Sequence, residues 1–192
     1  IVSRLSNQKK SINHVAVIMD GNGRWALKNK VSKKKGHETG IKNCIQLCKS
    51  LRKLDYTIKE ISFYVFSTEN WKRSPYEINN LFSLIEEFYE NFSKTANDNN
   101  LVIRHYGSKD NLSGRIKKII DLVTERTKSN SGTFINLMFN YGSRKEINDA
   151  FAKMIKDKKR TKNIREYLYT KNSYDPDLII RTGGEQRLSN FM

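Results

Sequence analysis

Cysteine is nearly absent from this chain: 192 residues hold two, Cys44 and Cys48, four positions apart. No second ligand pair follows them, so neither a metal site nor a redox motif is expected, and two reduced, partly buried thiols of the cytosolic kind are. Long apolar runs are also missing. The longest near the start covers residues 15–19, far short of the roughly 20 residues that cross a bilayer. Residues 1–13 are polar and basic with no apolar centre, so they show no signal-peptide pattern. Acidic residues are scarce beside basic ones, 20 against 36, which leaves a formal net charge of +16. That balance calls for an anionic partner: nucleic acid, an acidic membrane surface or phosphorylated small molecules. It does not choose among them. Lysine-rich patches such as 33–35 and 156–162 hold much of the charge, and such runs are ordinarily solvated surface.

What is present is a repeated alternation. A mass of 22.4 kDa and a mean hydropathy of −0.70 fit one ordinary domain with a substantial core. Five short apolar runs occur at 15–19, 61–66, 101–106, 133–139 and 178–180. Four are almost continuously hydrophobic, as expected of strands covered on both faces. Between them, helical spacing predicts helices over 38–54 (through Ile41, Ile45, Leu51 and Leu54), 75–92, 112–126 and 144–155. Pro75 suits a first helical turn. The expectation is a single α/β domain with a mainly parallel sheet flanked by helices. Ligands of such sheets bind just beyond the carboxyl ends of the strands.

One stretch carries more chemistry than the rest: His14-Val-Ala-Val-Ile-Met-Asp20-Gly21-Asn22-Gly23-Arg24-Trp25-Ala26. A buried strand, a glycine turn and a fresh helix start present free backbone N–H groups to an anion. The aspartate repels that anion unless a cation bridges them, and Mg²⁺ is the usual bridge. As a purely structural residue, Asp20 would be a helix N-cap. The other strand ends deliver Ser67-Thr68-Glu69-Asn70-Trp71-Lys72-Arg73, Gly107-Ser108, Asn140-Tyr141-Gly142 and Arg181-Thr182-Gly183-Gly184-Glu185-Gln186-Arg187-Leu188-Ser189. Polar and basic side chains converge on one rim.

With those segments in view, the chain resembles the cis-prenyltransferases, the undecaprenyl and dehydrodolichyl diphosphate synthase family, from His14 onward. Residues 14–26, 66–73 and 177–191 match three of the family's ordered motifs. The resemblance implies Mg²⁺-dependent condensation of isopentenyl diphosphate onto an allylic diphosphate such as farnesyl diphosphate, forming Z double bonds. It implies that Asp20 holds Mg²⁺ and assists diphosphate departure. Gly21, Asn22, Gly23, Arg24 and Trp25 would wrap the allylic diphosphate, with Lys33, His37 and Arg73 close by. Arg181, Arg187, Leu188 and Ser189 would clamp isopentenyl diphosphate, since arginine forks suit phosphate; their plain alternative is a surface ion-pair cluster with Glu185. Asn70, flanked by Ser67, Thr68 and Glu69, would serve in loss of the proton, with Trp71 covering the site. Where the family has arginine, Lys33 keeps the charge without the fork. The stripe on 75–92, with Phe63, Val65 and Phe139, would wall a container for the growing prenyl chain.

The family pattern also continues past Met192, with a final strand and a second acidic Mg²⁺ ligand. By that comparison residues 14–192 form the catalytic domain, truncated before its end, after a polar segment at 1–13. A homodimer is implied, cytoplasmic, with peripheral membrane contact (at the endoplasmic reticulum in a eukaryote, where dolichol is made). No DDxxD pair of the all-helical trans class occurs. The intact Asp20–Arg24 constellation argues against a non-catalytic accessory subunit. A nucleic-acid-binding basic domain is the reading from another class; no nucleic-acid motif supports it, so no nucleic-acid partner is expected.

Overall fold

A computed structural model describes residues 12–51, 58–157 and 163–192. Most of the polar segment at 1–13, Leu54, and the lysines at 158–162 lie outside the described residues, as does the Leu51 side chain. Five strands form one sheet in the order β3-β4-β2-β1-β5. They are β1 (His14–Ile18), β2 (Glu60–Ser67), β3 (Val102–Tyr106), β4 (Phe134–Tyr141) and β5 (Leu178–Arg181). Every pairing is parallel, so all carboxyl ends reach the same rim. Among the described residues five α-helices lie in the connections: α1 (Asn22–Lys28), α2 (Lys33–Leu51), α3 (Pro75–Asp98), α4 (Gly114–Thr127) and α5 (Ser143–Lys156).

Alternation along the strands divides the core in two. Ile61, Phe63, Ile103 and Ile135 pack with Cys48 of α2, Ala96 of α3, and Ile119 and Val123 of α4. From the opposite face, Ala16, Ile18, Tyr64, Tyr106 and Met138 pack with Tyr141 and Phe191. β2 lies at the centre, with all but Val65 buried, as its unbroken apolar run requires. β5 is the exception among the strands. Like β3 it is an edge strand, paired among the described residues with one neighbour, β1, but its Leu178, Ile179 and Ile180 are exposed.

The helix boundaries differ from the expected ones for local reasons. α3 begins as predicted, with Ser74 capping the Glu77 N–H at 3.3 Å and Pro75 in the first turn. It then runs past 92, because small Ser93, Thr95 and Ala96 bury themselves where large apolar residues were sought. α4 starts at Gly114 behind the Ser113 cap; Leu112, counted as helical, is instead a buried plug beside Phe66, Ile116 and Phe139. α2 starts at Lys33, five residues early, since its first turn is lysine-rich and shows no apolar period.

The amino ends of the strands are tied by buried polar groups. Glu60 accepts hydrogen bonds from Arg104 at 3.0 Å, the Tyr174 N–H at 3.1 Å and Ser173. His14 donates from Nδ1 to the Tyr174 carbonyl at 2.7 Å and meets Ser62 through Nε2 at 2.8 Å. A buried carboxylate is tolerated only when so compensated, and the network fixes the loop that leads into β5.

α1 ends in a tight reversal. The Lys30 N–H donates to Leu27 at 3.1 Å and the Val31 N–H to Ala26 at 3.0 Å, the paired bonds of a Schellman motif. The left-handed position, ordinarily glycine, is Lys30 with φ 54°. A side chain there costs about 1 kcal/mol. Lys30→Gly is therefore expected to stabilise the fold by about 1 kcal/mol, raising the melting midpoint by roughly 2–4 °C; an unchanged or lower midpoint in calorimetry contradicts this.

Candidate active site

The tips of β1 and β5 are neighbours because Ile18 is in register with Arg181. Asp20, two residues past Ile18, therefore faces Arg181 across the strand pair. Arg181 donates from Nη2 to Asp20 Oδ2 at 2.7 Å and from Nε at 3.3 Å. Its Nη1 reaches Ser189 Oγ at 2.8 Å and the Arg187 carbonyl. Thr182 locks the same junction, accepting the Asp20 N–H at 3.0 Å and donating to the Asp20 carbonyl at 2.7 Å. Two glycines allow the approach. Gly21 and Gly183 both hold left-handed backbone (φ 94° and 87°), and a Cβ on Gly183 would stand 3.0 Å from the Gly21 backbone.

Asp20 is not the cap of α1. Gly21 occupies that position, with no side-chain capping bond; the Asp20 carboxylate instead accepts the Gly21 N–H at 2.6 Å. Burial opposes its ionisation, but the bonds from Arg181 and Gly21, with the charges of Arg181 and Arg24, outweigh it and hold the carboxyl below its ordinary value. Arg24 stands 3.7 Å from Asp20 and 3.8 Å from Glu185, which also pairs with Arg187. Both the expected rim of cations and the ion-pair alternative around Glu185 are thus present, while Arg181 belongs to Asp20.

From this rim a hollow of about 490 Å³ runs down between the sheet and α2, α3 and α4. Asp20, Asn22, His37, Ser67, Glu69, Asn70, Arg73, Arg181, Arg187 and Ser189 line it. So do Phe63, Val65 and Phe139 from the sheet and Leu81, Ile85, Phe88, Tyr89 and Phe92 from α3. The arrangement suits a ligand with an anionic head and a long apolar body. Burial and the neighbouring Arg73 push the His37 imidazole down from its usual value, so at neutral pH it faces the hollow uncharged.

Other expected residues stand around the hollow without lining it: Gly21, Gly23, Arg24, Trp25, Lys33, Thr68, Trp71 and Leu188. The Lys33 ammonium pairs with Glu77 at 2.7 Å. Trp25 and Leu188 are exposed. Trp71 is not a cover. Its indole donates to Asn140 Oδ1 at 2.8 Å and packs edge-on against Phe66 and Phe82, so it is fixed against the Phe66 core cluster behind the hollow. Asn70 accepts the Ser67 N–H at 3.0 Å while Ser67 accepts the Glu69 N–H at 3.0 Å, which closes the loop after β2.

Several contributors went unrecognised in the sequence. Ile41 and Cys44 of α2, His105 of β3 and Thr124 of α4 also line the hollow. Both thiols, Cys44 and Cys48, are free and are pushed up to about 12 by burial, in keeping with two reduced thiols. Asn140 clasps the Ser108 and Asp110 carbonyls, each at 2.9 Å, besides Trp71. Asn190 Oδ1 accepts from Ser143 Oγ at 2.9 Å and from the Arg144 N–H at 3.0 Å. The Asn140-Tyr141-Gly142 strand end was the available signal, but nothing in the sequence says what it grips.

Residues 18–192 match the family described as "Putative undecaprenyl diphosphate synthase". The chain belongs to this family. An isoprenyl transferase of Clostridium perfringens is 40% identical over 194 residues, spanning 96% of this chain and 76% of its own length. A Bacillus cereus isoprenyl transferase is also 40% identical, over 93% of this chain and 72% of its own. Among solved structures, lavandulyl diphosphate synthase of Lavandula x intermedia in complex with dimethylallyl diphosphate superposes with a TM-score of 0.85 at 28% identity. It covers 94% of this chain and 81% of its own. A "probable undecaprenyl diphosphate synthase" of Campylobacter jejuni gives 0.75 at 30% identity, covering 94% and 80%. The family makes the protein a prenyltransferase, a cis-prenyltransferase by membership, and the parallel α/β fold agrees with the one expected. Among the described residues no helix is long and apolar enough to cross a membrane.

Because Arg181 helps hold the Asp20 carboxyl below its ordinary value, Arg181→Gln is expected to raise its titration toward the ordinary 3.8, read by carbon NMR. In the wild type the stabilisation carried by this ionised carboxylate is present above the ordinary value and is lost as pH falls through the depressed one. A titration unmoved by the substitution contradicts the pairing. Gly183→Ala is expected to destabilise by about 1–3 kcal/mol in denaturant unfolding, from left-handed strain and the contact with Gly21.

Proposed function

We propose that this prenyltransferase condenses isopentenyl diphosphate onto an allylic diphosphate, farnesyl diphosphate being the type, and adds successive units with Z geometry. One observation carries the reading: ionised Asp20 and the arginines stand at one end of a continuous hollow whose remaining wall is mostly apolar. A diphosphate head is met by charge while its isoprenoid tail runs down the hollow. Arg24 and the first backbone N–H groups of α1 hold the allylic diphosphate. Arg181, Arg187 and Ser189 hold that of isopentenyl diphosphate, Arg181 turning donors now spent on a carboxylate and a carbonyl to a stronger anion.

In the reaction the allylic carbon–oxygen bond breaks and its electron pair leaves with diphosphate. The double bond of isopentenyl diphosphate then bonds to the allylic carbon, and a proton passes from the adjacent carbon to the released diphosphate. Arginine forks and backbone N–H groups stabilise the charge growing on the departing oxygen. Asn70, held at the hollow's rim by Ser67, orients the group that loses the proton. His37, uncharged, adds a polar contact without trapping the leaving anion.

Magnesium fits this rim in a limited sense. No three acidic or histidine side chains cluster as a metal site among the described residues. Asp20 is nonetheless ionised and one-third exposed at 33%, and Mg²⁺ characteristically takes one or two carboxylates and completes its shell with water and phosphate oxygens. Asp20 would hold it, and the ion would supply positive charge to the diphosphate. A homodimer is part of the proposal, supported by Ile147, Phe151 and Ile155, which α5 exposes. So is a polyprenyl product destined for a membrane.

Replacing Asp20 by Ala is expected to lower incorporation of radiolabelled isopentenyl diphosphate about 10²- to 10³-fold. In parallel, farnesyl thiodiphosphate binding with Mg²⁺ is expected to persist as salt rises, whereas nucleic-acid binding falls steeply. Near-normal incorporation by the variant contradicts the role of Asp20. Salt-sensitive DNA binding without thiodiphosphate binding contradicts the function.

A further inference from the structure

Prenyl transfer leaves one surface of the molecule unused. α1 and the turn behind it expose Leu27 at 80% and Val31 at 40%. The segment 21–37 holds six basic residues and no acidic one. Lys33 and Lys35 are engaged by Glu77 and Glu38. Lys28, Lys30 and Lys34 are exposed, with no acidic partner among the described residues. Apolar and cationic side chains thus interleave on one rigid knuckle, closed by the bonds from Lys30 and Val31. Lys30 sits in the left-handed position that glycine fills most readily, so a cation stands there against local conformational preference.

We propose that this knuckle docks the protein on an anionic lipid bilayer. Leu27 and Val31 enter the boundary between headgroups and acyl chains, and Lys28, Lys30 and Lys34 meet lipid phosphates. The chemistry favours a lipid surface over the other anions. An exposed leucine adds nothing to a nucleic-acid phosphate backbone, whereas a bilayer accepts the aliphatic groups and the cations together. The placement gives docking a use, one that rests on the prenyl-transfer reading: α1 begins two residues after Asp20, so the bilayer would lie beside the mouth of the hollow where an apolar product leaves.

The test is co-sedimentation of the full chain with vesicles of phosphatidylcholine alone and of phosphatidylcholine with phosphatidylglycerol. The wild type is expected to bind the anionic vesicles, to release them as salt rises, and to bind the neutral ones far more weakly. Each lysine near the surface is worth about fivefold in affinity. Neutralising Lys28, Lys30 and Lys34 together should therefore weaken binding about a hundredfold. Leu27→Asp should weaken it about tenfold or more. Lys30→Gly separates docking from folding, because it should melt higher than the wild type yet bind about fivefold more weakly. Equal binding to both vesicle types overturns the proposal, as does undiminished binding by the lysine and Leu27 variants. Failure of the wild type to bind anionic vesicles also overturns it and leaves the knuckle to a protein partner. Incorporation of isopentenyl diphosphate without vesicles, measured alongside, decides the prenyl-transfer reading separately: its absence counts against the function, and loss of vesicle binding with incorporation intact counts against docking alone.

Discussion

The Asp20–Arg181 ion pair is the constraint from which the site is built. It joins residues 161 positions apart at the tips of adjacent parallel strands. The register of β1 with β5 puts the two side chains opposite each other, and the glycine contact of Gly21 with Gly183 lets their turns meet. An ion pair at a partly exposed rim contributes little to stability. Its consequence is electrostatic: the Asp20 carboxyl is held below its ordinary value among cations, and the Arg181 guanidinium is fixed at the rim by Asp20, Ser189 and the Arg187 carbonyl. Such preorganisation is what a reaction that separates charge requires.

The second constraint is a core that is not filled. α/β domains ordinarily close the space between sheet and helices to crystal-like density. Here the face of the sheet toward α2, α3 and α4 packs tightly near the strand centres and leaves a hollow of about 490 Å³ toward the rim. On the opposite face Tyr64, Tyr141 and Phe191 stack and cross in a buried cluster. Tyr64 also donates to the backbone carbonyl of Ser189 at 3.2 Å. One face is rigid and aligns the β5 loop, while the other offers volume.

Much of this was legible in the sequence because local and global signals agree. The five apolar runs became five strands, and the residues at their carboxyl ends assembled on one rim, since parallel strands leave no other choice. The α3 stripe walls the hollow for the same reason that it reads as amphipathic. What escaped was set by packing. Ser93, Thr95 and Ala96 extend a helix without an apolar signal. Leu112 is apolar but plugs a gap from outside its helix. Trp71, placed over the site by motif position, is held in the core behind the hollow by Asn140, and no sequence rule reports that hydrogen bond. His105 and Thr124 are polar side chains on an apolar cavity, which periodicity cannot flag.

The claim that head and tail of one ligand are read by a single rim and a single hollow is most directly tested by a crystal structure with farnesyl thiodiphosphate bound. The account predicts the thiodiphosphate within hydrogen-bonding distance of Arg24 and the turn after β1, with the farnesyl chain running between Phe63, Ile85 and Phe139. A ligand whose diphosphate lies away from Asp20 and Arg181, or whose tail lies outside the hollow, would contradict it.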